Sequence, residues 1–205
     1  HVDEYGLKAE SIDKDFEAVV KRSRGVAEGM SKGVQFLMKK NKIDVIDGFG
    51  KVKAGKKVDV TAEDGKVTEY SADNIIIATG ARSRVLPNLP QDGVKVIGYR
   101  QAMTLPSQPK SMIVVGSGAI GVEFASFYNS MGTDVTIVEF QPNIVPVEDK
   151  DISKQFELSL KKAGIKIMTS SSVETIDTSG DGVKASVKTK KGEETLEADI
   201  LLSAV

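Results

Sequence analysis

The sequence predicts an α/β protein of two similar units, each a β-sheet with an antiparallel meander attached, the N-terminal one incomplete. Two observations carry this expectation. Residues 112–138 read as strand, glycine turn, helix and second strand in succession, and the layout of residues 65–80 returns in residues 192–205.

In chain order, residues 15–40 place Phe16, Val19, Val20, Val26, Met30, Val34, Leu37 and Met38 at helical spacing, so these side chains are expected to face inward. Gly25, Gly29 and Gly33 share one face of that helix, which suits close packing on a sheet or a neighbouring helix, or contact with a cofactor. A strand at 43–46 and a meander through Gly50-Lys51-Val52, residues 58–60 and residues 67–70 follow. Ala72-Asp73 then introduces the apolar run Ile75-Ile76-Ile77, read as another strand. Pro106, Pro109 and the polar residues between them read as a crossing point between elements.

Residues 112–115 are wholly apolar and largely β-branched, as in a strand buried on both faces of a parallel sheet. Gly116-Ser117-Gly118-Ala119-Ile120-Gly121 comes next, and Ile120, Phe124, Phe127, Tyr128 and Met131 then recur at helical spacing up to a left-handed stop at Gly132. Gly116 allows a sharp turn out of the strand, Gly118 lets the backbone approach a pyrophosphate, and Gly121 lets the helix pack close. The phosphates would face unpaired N–H groups at the positive end of the helix. Residues 134–138 form the second strand, and Glu139 ends it where an acid can accept hydrogen bonds from a ribose 2′-hydroxyl and repel a 2′-phosphate. Residues 140–144 offer no Arg or Lys to such a phosphate. A Rossmann-like unit that binds NAD rather than NADP is therefore expected.

A helix over 150–163, with Ile152, Phe156 and Leu160 inward and Gly164 at its end, precedes strands at 165–168 and 173–176 and turns at "SGDG" and "KKGE". Then "GEETLEADILLSAV" repeats the plan of "GKVTEYSADNIIIATG", each a polar hairpin arm, Ala-Asp and an apolar strand. The second copy stops one residue before the echo predicts a glycine. The first half lacks a counterpart of the strand-glycine-helix-strand unit, so the chain is expected to be a piece of a longer one.

Lys and Arg number 28 against 29 Asp and Glu, a formal net charge of −1, which argues against a dedicated nucleic-acid or anionic-membrane surface. Absence of cysteine, with His1 the sole histidine, removes disulfides, thiolate nucleophiles and Ser-His or Cys-His catalytic pairs. With no apolar run of membrane-spanning length and no signal-like start in "HVDEYGLKAE", a cytoplasmic protein is expected.

The stretches "FLMKKNKIDVIDGFGKV", "ADNIIIATGARSRVLPNLP", the glycine segment, "TIVEFQPNIVPVEDKDISKQFELSLKKAGIKI" and "ADILLSAV" resemble the pyridine-nucleotide flavoprotein disulfide reductases, above all their dihydrolipoamide-oxidising members. The resemblance implies that residues 1–106 are the later part of an FAD-binding domain and 107–205 most of an NAD-binding domain. By position, Gly50 would face the FAD adenine end, and Thr79, Gly80 and Ala81 would lie against FAD. Gly116, Ser117, Gly118, Ala119, Ile120, Gly121, Val122, Glu123, Glu139 and Val173 would line the NAD site, Val173 near the adenine. Ala119 stands where glutathione reductase-like members carry a tyrosine lid. Glu123 matches a glutamate that sits at the nicotinamide in the family; on its own it is also a first-turn acid favoured by the helix dipole.

The family passes electrons from dihydrolipoamide on an acyltransferase complex through a cysteine pair and FAD to NAD+, as a homodimer. This chain lacks the cysteines, so by itself it is expected to bind NAD at most. A coenzyme A-disulfide or mercuric reductase type, or a non-catalytic nucleotide-binding module, is the alternative.

Overall fold

The computed structural model describes residues 13–205, which divide into two compact units. Residues 22–82 form one. Residues 83–205, with the start of the long helix up to Lys21, form the other.

Helix α1 (Phe16–Lys40) opens at Asp15, whose carboxylate accepts from the Ala18 amide at 2.9 Å and so satisfies one of the helix's free donors. Phe16 is buried and Val20 packs beside it, both against the later unit's core. Beyond Lys21 the expected inward face is open: Val26, Met30, Val34 and Leu37 are all exposed, because no sheet among the described residues covers them. The first unit otherwise holds a meander of β1 (Phe49–Lys53), β2 (Lys57–Thr61) and β3 (Val67–Ser71), antiparallel in that order. Two expected strands do not form. Residues 43–47 and 74–86 have no regular structure, and Ile43, Val45, Ile46, Ile76 and Ile77 are exposed. A strand is held by its neighbours, and these runs have none to pair with among the described residues.

The second unit is a five-stranded parallel sheet in the order β4-β11-β5-β6-β7, built from β4 (Val96–Ile97), β5 (Ser111–Val115), β6 (Asp134–Val138), β7 (Lys166–Met168) and β11 (Ile200–Ser203). A short helix, α2 (Tyr99–Ala102), follows β4, while α3 (Ala119–Met131) joins β5 to β6 and α4 (Lys150–Lys162) leads to β7. The meander β8 (Ser172–Asp177), β9 (Val183–Thr189), β10 (Gly192–Ala198) forms a second, antiparallel sheet.

Alternation along β5 divides the core. Met112 and Val114 pack with Val122, Ala125 and Tyr128 of α3 and Leu160 of α4; Ile113 and Val115 pack with Val183, Ala185 and Val187 of the meander. The buried stripe of α3 is Gly121, Val122, Ala125 and Tyr128, which leaves Ile120 on an exposed flank, against expectation. Phe16 packs on the same helix further along, against Phe127 and Tyr128. On α4 the inward face is Ser153, Phe156 and Leu160; Ile152 is exposed because the Asp149 cap, accepting from the Asp151 and Ile152 amides, sets the helix phase.

The segment 83–106, which the resemblance places in the FAD-binding domain, packs with the second unit. Leu89, Val96 and Ile97 are fully buried there, and β4 is an edge strand of the parallel sheet. No helix among the described residues is long and apolar enough to cross a membrane.

Candidate nucleotide-binding site

The glycines of the turn between β5 and α3 meet three different environments. Gly116 has φ +97°, and a Cβ there would lie 2.6 Å from the Ala204 carbonyl oxygen, so both backbone sign and space demand glycine. A Cβ on Gly121 would lie 2.1 Å from the Gly116 carbonyl oxygen, which is the close approach of helix to turn. Gly118 differs: its backbone is extended and nothing stands within 4 Å of an added Cβ. Open space at this one glycine is what an approaching ligand backbone contact requires.

The start of α3 carries no side-chain cap. The amides of Gly118, Ala119, Ile120 and Gly121 have no acceptor among the described residues. These are orphan donors at the positive end of a helix, suited to a diphosphate. Not every amide of the turn is available, though. Gly116 donates to Val138 O, and Ser117 donates to Glu139, so the free donors are those of the helix start.

Glu139 follows β6 directly and is 6% exposed. Its Oε2 accepts from the Ser117 amide at 2.8 Å and the Ser117 hydroxyl at 2.6 Å; its Oε1 accepts from the Gln141 amide at 2.7 Å. A buried carboxylate is costly unless hydrogen-bonded, and three donors satisfy it here. Oε1, with a single donor, keeps lone-pair capacity.

Gly116, Glu139 and Val173 line one cavity of about 200 Å³, together with Leu86, Val138 and Phe140. Asn88 ties its rim by donating from Nδ2 to Val173 O at 2.7 Å. Phe140 stands exposed at its edge. Sequence reasoning missed Leu86, Asn88 and Phe140; only the position of an aromatic next to Glu139 gave any signal, since residues 86–88 lie far away in the chain. The loop after Phe140 folds back on the glycine turn, where the Val145 amide donates to Ser117 O at 2.9 Å.

The other expected residues distribute less uniformly. Ala119, Ile120 and Glu123 are exposed on the first turns of α3, and Val122 is buried in the core. Glu123 pairs with no cation among the described residues. Gly50 lies on the exposed strand β1, and Thr79, Gly80 and Ala81 lie on the exposed, unpaired segment. Nothing among the described residues shapes a flavin cleft round those four.

An uncapped helix start, a glycine turn open at its middle glycine and a buried acid at the end of the next strand therefore stand together in this unit, and comparison with known proteins gives its family. The model of the pyridine nucleotide-disulphide oxidoreductase family matches residues 4–205. The chain is 43% identical to a dihydrolipoyl dehydrogenase of Rhizobium etli, over 100% of this chain and 46% of that protein. It is 41% identical to one of Zymomonas mobilis, over 94% of this chain and 41% of the other. LpdA from Mycobacterium tuberculosis superposes with a TM-score of 0.86 at 28% identity, over 96% of this chain and 43% of that one. The HOCl-induced flavoprotein disulfide reductase RclA from Escherichia coli does so at 0.78 and 29% identity, over 93% of this chain and 42% of that one. The chain spans less than half the length of these relatives. In the site it builds and in the match along nearly all its length, the chain belongs to the pyridine nucleotide-disulphide oxidoreductases.

Proposed function

We propose that this chain is an internal part of a flavin-dependent dihydrolipoyl dehydrogenase and that its second unit binds NAD(H). The carrying observation is that the glycine turn and the Glu139 carboxylate meet at one cavity, with Gly118 open beside free helix-start amides. The amides of Gly118, Ala119 and Ile120 would hold the pyrophosphate. Glu139 would accept from the adenosine ribose through Oε1, and Val173 would line the adenine end. Residues 107–205 would be most of the NAD domain and residues 1–106 the later part of the FAD domain, with Gly50, Thr79, Gly80 and Ala81 turned to FAD when the remainder of that domain is present.

FAD, when bound, supplies the two-electron relay between a dithiol and the nicotinamide. The dithiol is not encoded here, since the sequence has no cysteine. The 205-residue chain by itself is therefore inactive towards dihydrolipoamide, and the acyltransferase complex and homodimer contacts belong to the longer protein. Calorimetric titration with NADH and with NADPH tests the reading. Saturable NADH binding is expected, weaker for NADPH, and Glu139→Ala should weaken NADH by about tenfold through loss of hydrogen bonds to a charged acceptor. Equal affinity for the two nucleotides, or an unaffected Glu139→Ala variant, would overturn it.

A further inference from the structure

We infer that Ser117 is a positioning residue that fixes the Glu139 carboxylate for NAD over NADP, an inference that rests on the NAD-binding reading of this site. Ser117 occupies a place in the glycine motif where any residue would serve as a spacer. Here it is not a spacer. Its side chain is 0% exposed, its amide is already spent on Glu139, and its hydroxyl points the same way. Neither group is left for a phosphate.

Amide and hydroxyl grip the same oxygen, Oε2, at 2.8 and 2.6 Å, which closes a small ring between one residue and one carboxylate oxygen. The terminal torsion of a glutamate is otherwise soft and roughly two-fold. With Oε2 held from two directions and the Gln141 amide on Oε1 at 2.7 Å, the carboxylate plane is fixed. Oε1 then presents its remaining lone-pair capacity while Oε2 is consumed. No lysine or arginine forms an ion pair with Glu139 among the described residues, so its charge rests on these donors.

Two consequences follow from a fixed, charged acceptor. A ribose hydroxyl finds it already oriented, and a 2′-phosphate meets a negative charge that cannot swing aside. Removing the hydroxyl leaves one amide on each carboxylate oxygen and loosens the carboxylate's hold, which weakens the first effect and relaxes the second.

The test is nucleotide titration of the full chain and of Ser117→Ala, alone and combined with Glu139→Ala, with circular dichroism to verify folding. Ser117→Ala should weaken NADH binding by roughly three- to tenfold while leaving NADPH unweakened, no more than the loss of the acceptor itself in Glu139→Ala, since the carboxylate stays in place. In the Glu139→Ala background the same substitution should change NADH binding by less than about twofold, because the group it acts through is gone. Equal weakening of NADH and NADPH, or an undiminished effect in the Glu139→Ala background, would assign Ser117 a purely structural role and overturn the inference. Should Ser117→Ala not fold, Ser117→Gly removes the same hydroxyl and is read by the same two criteria. Absence of NADH binding by the unsubstituted chain is a separate result, visible before any substitution, and removes the functional reading itself.

Discussion

The chain writes one local plan twice, and only one copy becomes a strand in a sheet. In the second copy, Ala198-Asp199 leads into β11, which lies between β4 and β5, with Leu201 and Leu202 0% exposed. Asp199 ties the start of that strand to β5, its carboxylate accepting from the Lys110 amide at 2.7 Å while its own amide donates to Ser111 Oγ at 3.0 Å. In the first copy, Ala72-Asp73 leads into Ile75-Ile76-Ile77, which pair with no strand among the described residues, and Ile76 and Ile77 are 89% and 72% exposed. The two apolar runs are close in composition. What separates them is the presence of parallel neighbours, since a strand's backbone groups and both its faces must be satisfied from outside itself.

Substitution at equivalent depth in the two copies should break the comparison most sharply. Leu202→Ala, in the fully buried run, should cost about 2–5 kcal/mol in urea unfolding, against less than about 0.5 kcal/mol for Ile76→Ala. Similar costs at the two positions would mean that the first run is packed after all. Glycines extend the contrast. Gly121→Ala drives a Cβ into the Gly116 carbonyl and should destabilise by about 1–3 kcal/mol, read as a fall in the thermal midpoint of the second unit. Gly118→Ala meets open space and should leave that midpoint unchanged while weakening NADH binding. A drop in stability without loss of binding would reverse the roles assigned to these glycines.

A smaller effect is expected from Tyr128, whose hydroxyl donates to Ala102 O at 2.5 Å. Burial pushes its phenol up to about 12. The unfolded chain ionises this group near pH 10, so its contribution is complete below about pH 10 and is lost as pH rises towards 12, where the unfolded state releases the proton first. Stability should therefore fall between those values, and Tyr128→Phe should flatten this part of the profile. An unchanged slope would show that other groups govern the alkaline limb.

Legibility in the sequence followed the same division. The strand at 111–115, the glycine turn, the helix to Gly132 and both meanders could be read because local pattern and final environment agree there. The runs at 43–46 and 75–77 were misread because apolar β-branched composition reports what a segment suits, and pairing depends on residues elsewhere. Ile120 and Ile152 stand off the buried side for a finer reason: a fraction of a helical turn, set by a close glycine contact in one case and by the Asp149 cap in the other, decides which residues face inward. Of the site, Gly116, Glu139 and Val173 were legible and do meet. The grip of Ser117 on Glu139 was not, since motif spacing specifies backbone turns and says nothing of where a buried hydroxyl points.

The most direct measurement is amide hydrogen exchange of the chain with and without saturating NADH. Slowed exchange at residues 116–122 and 139–141, with none at 74–81, is the result expected of a single nucleotide site built on the paired copy. Unchanged exchange at the glycine turn, or protection gained at Thr79, Gly80 and Ala81 instead, would contradict it.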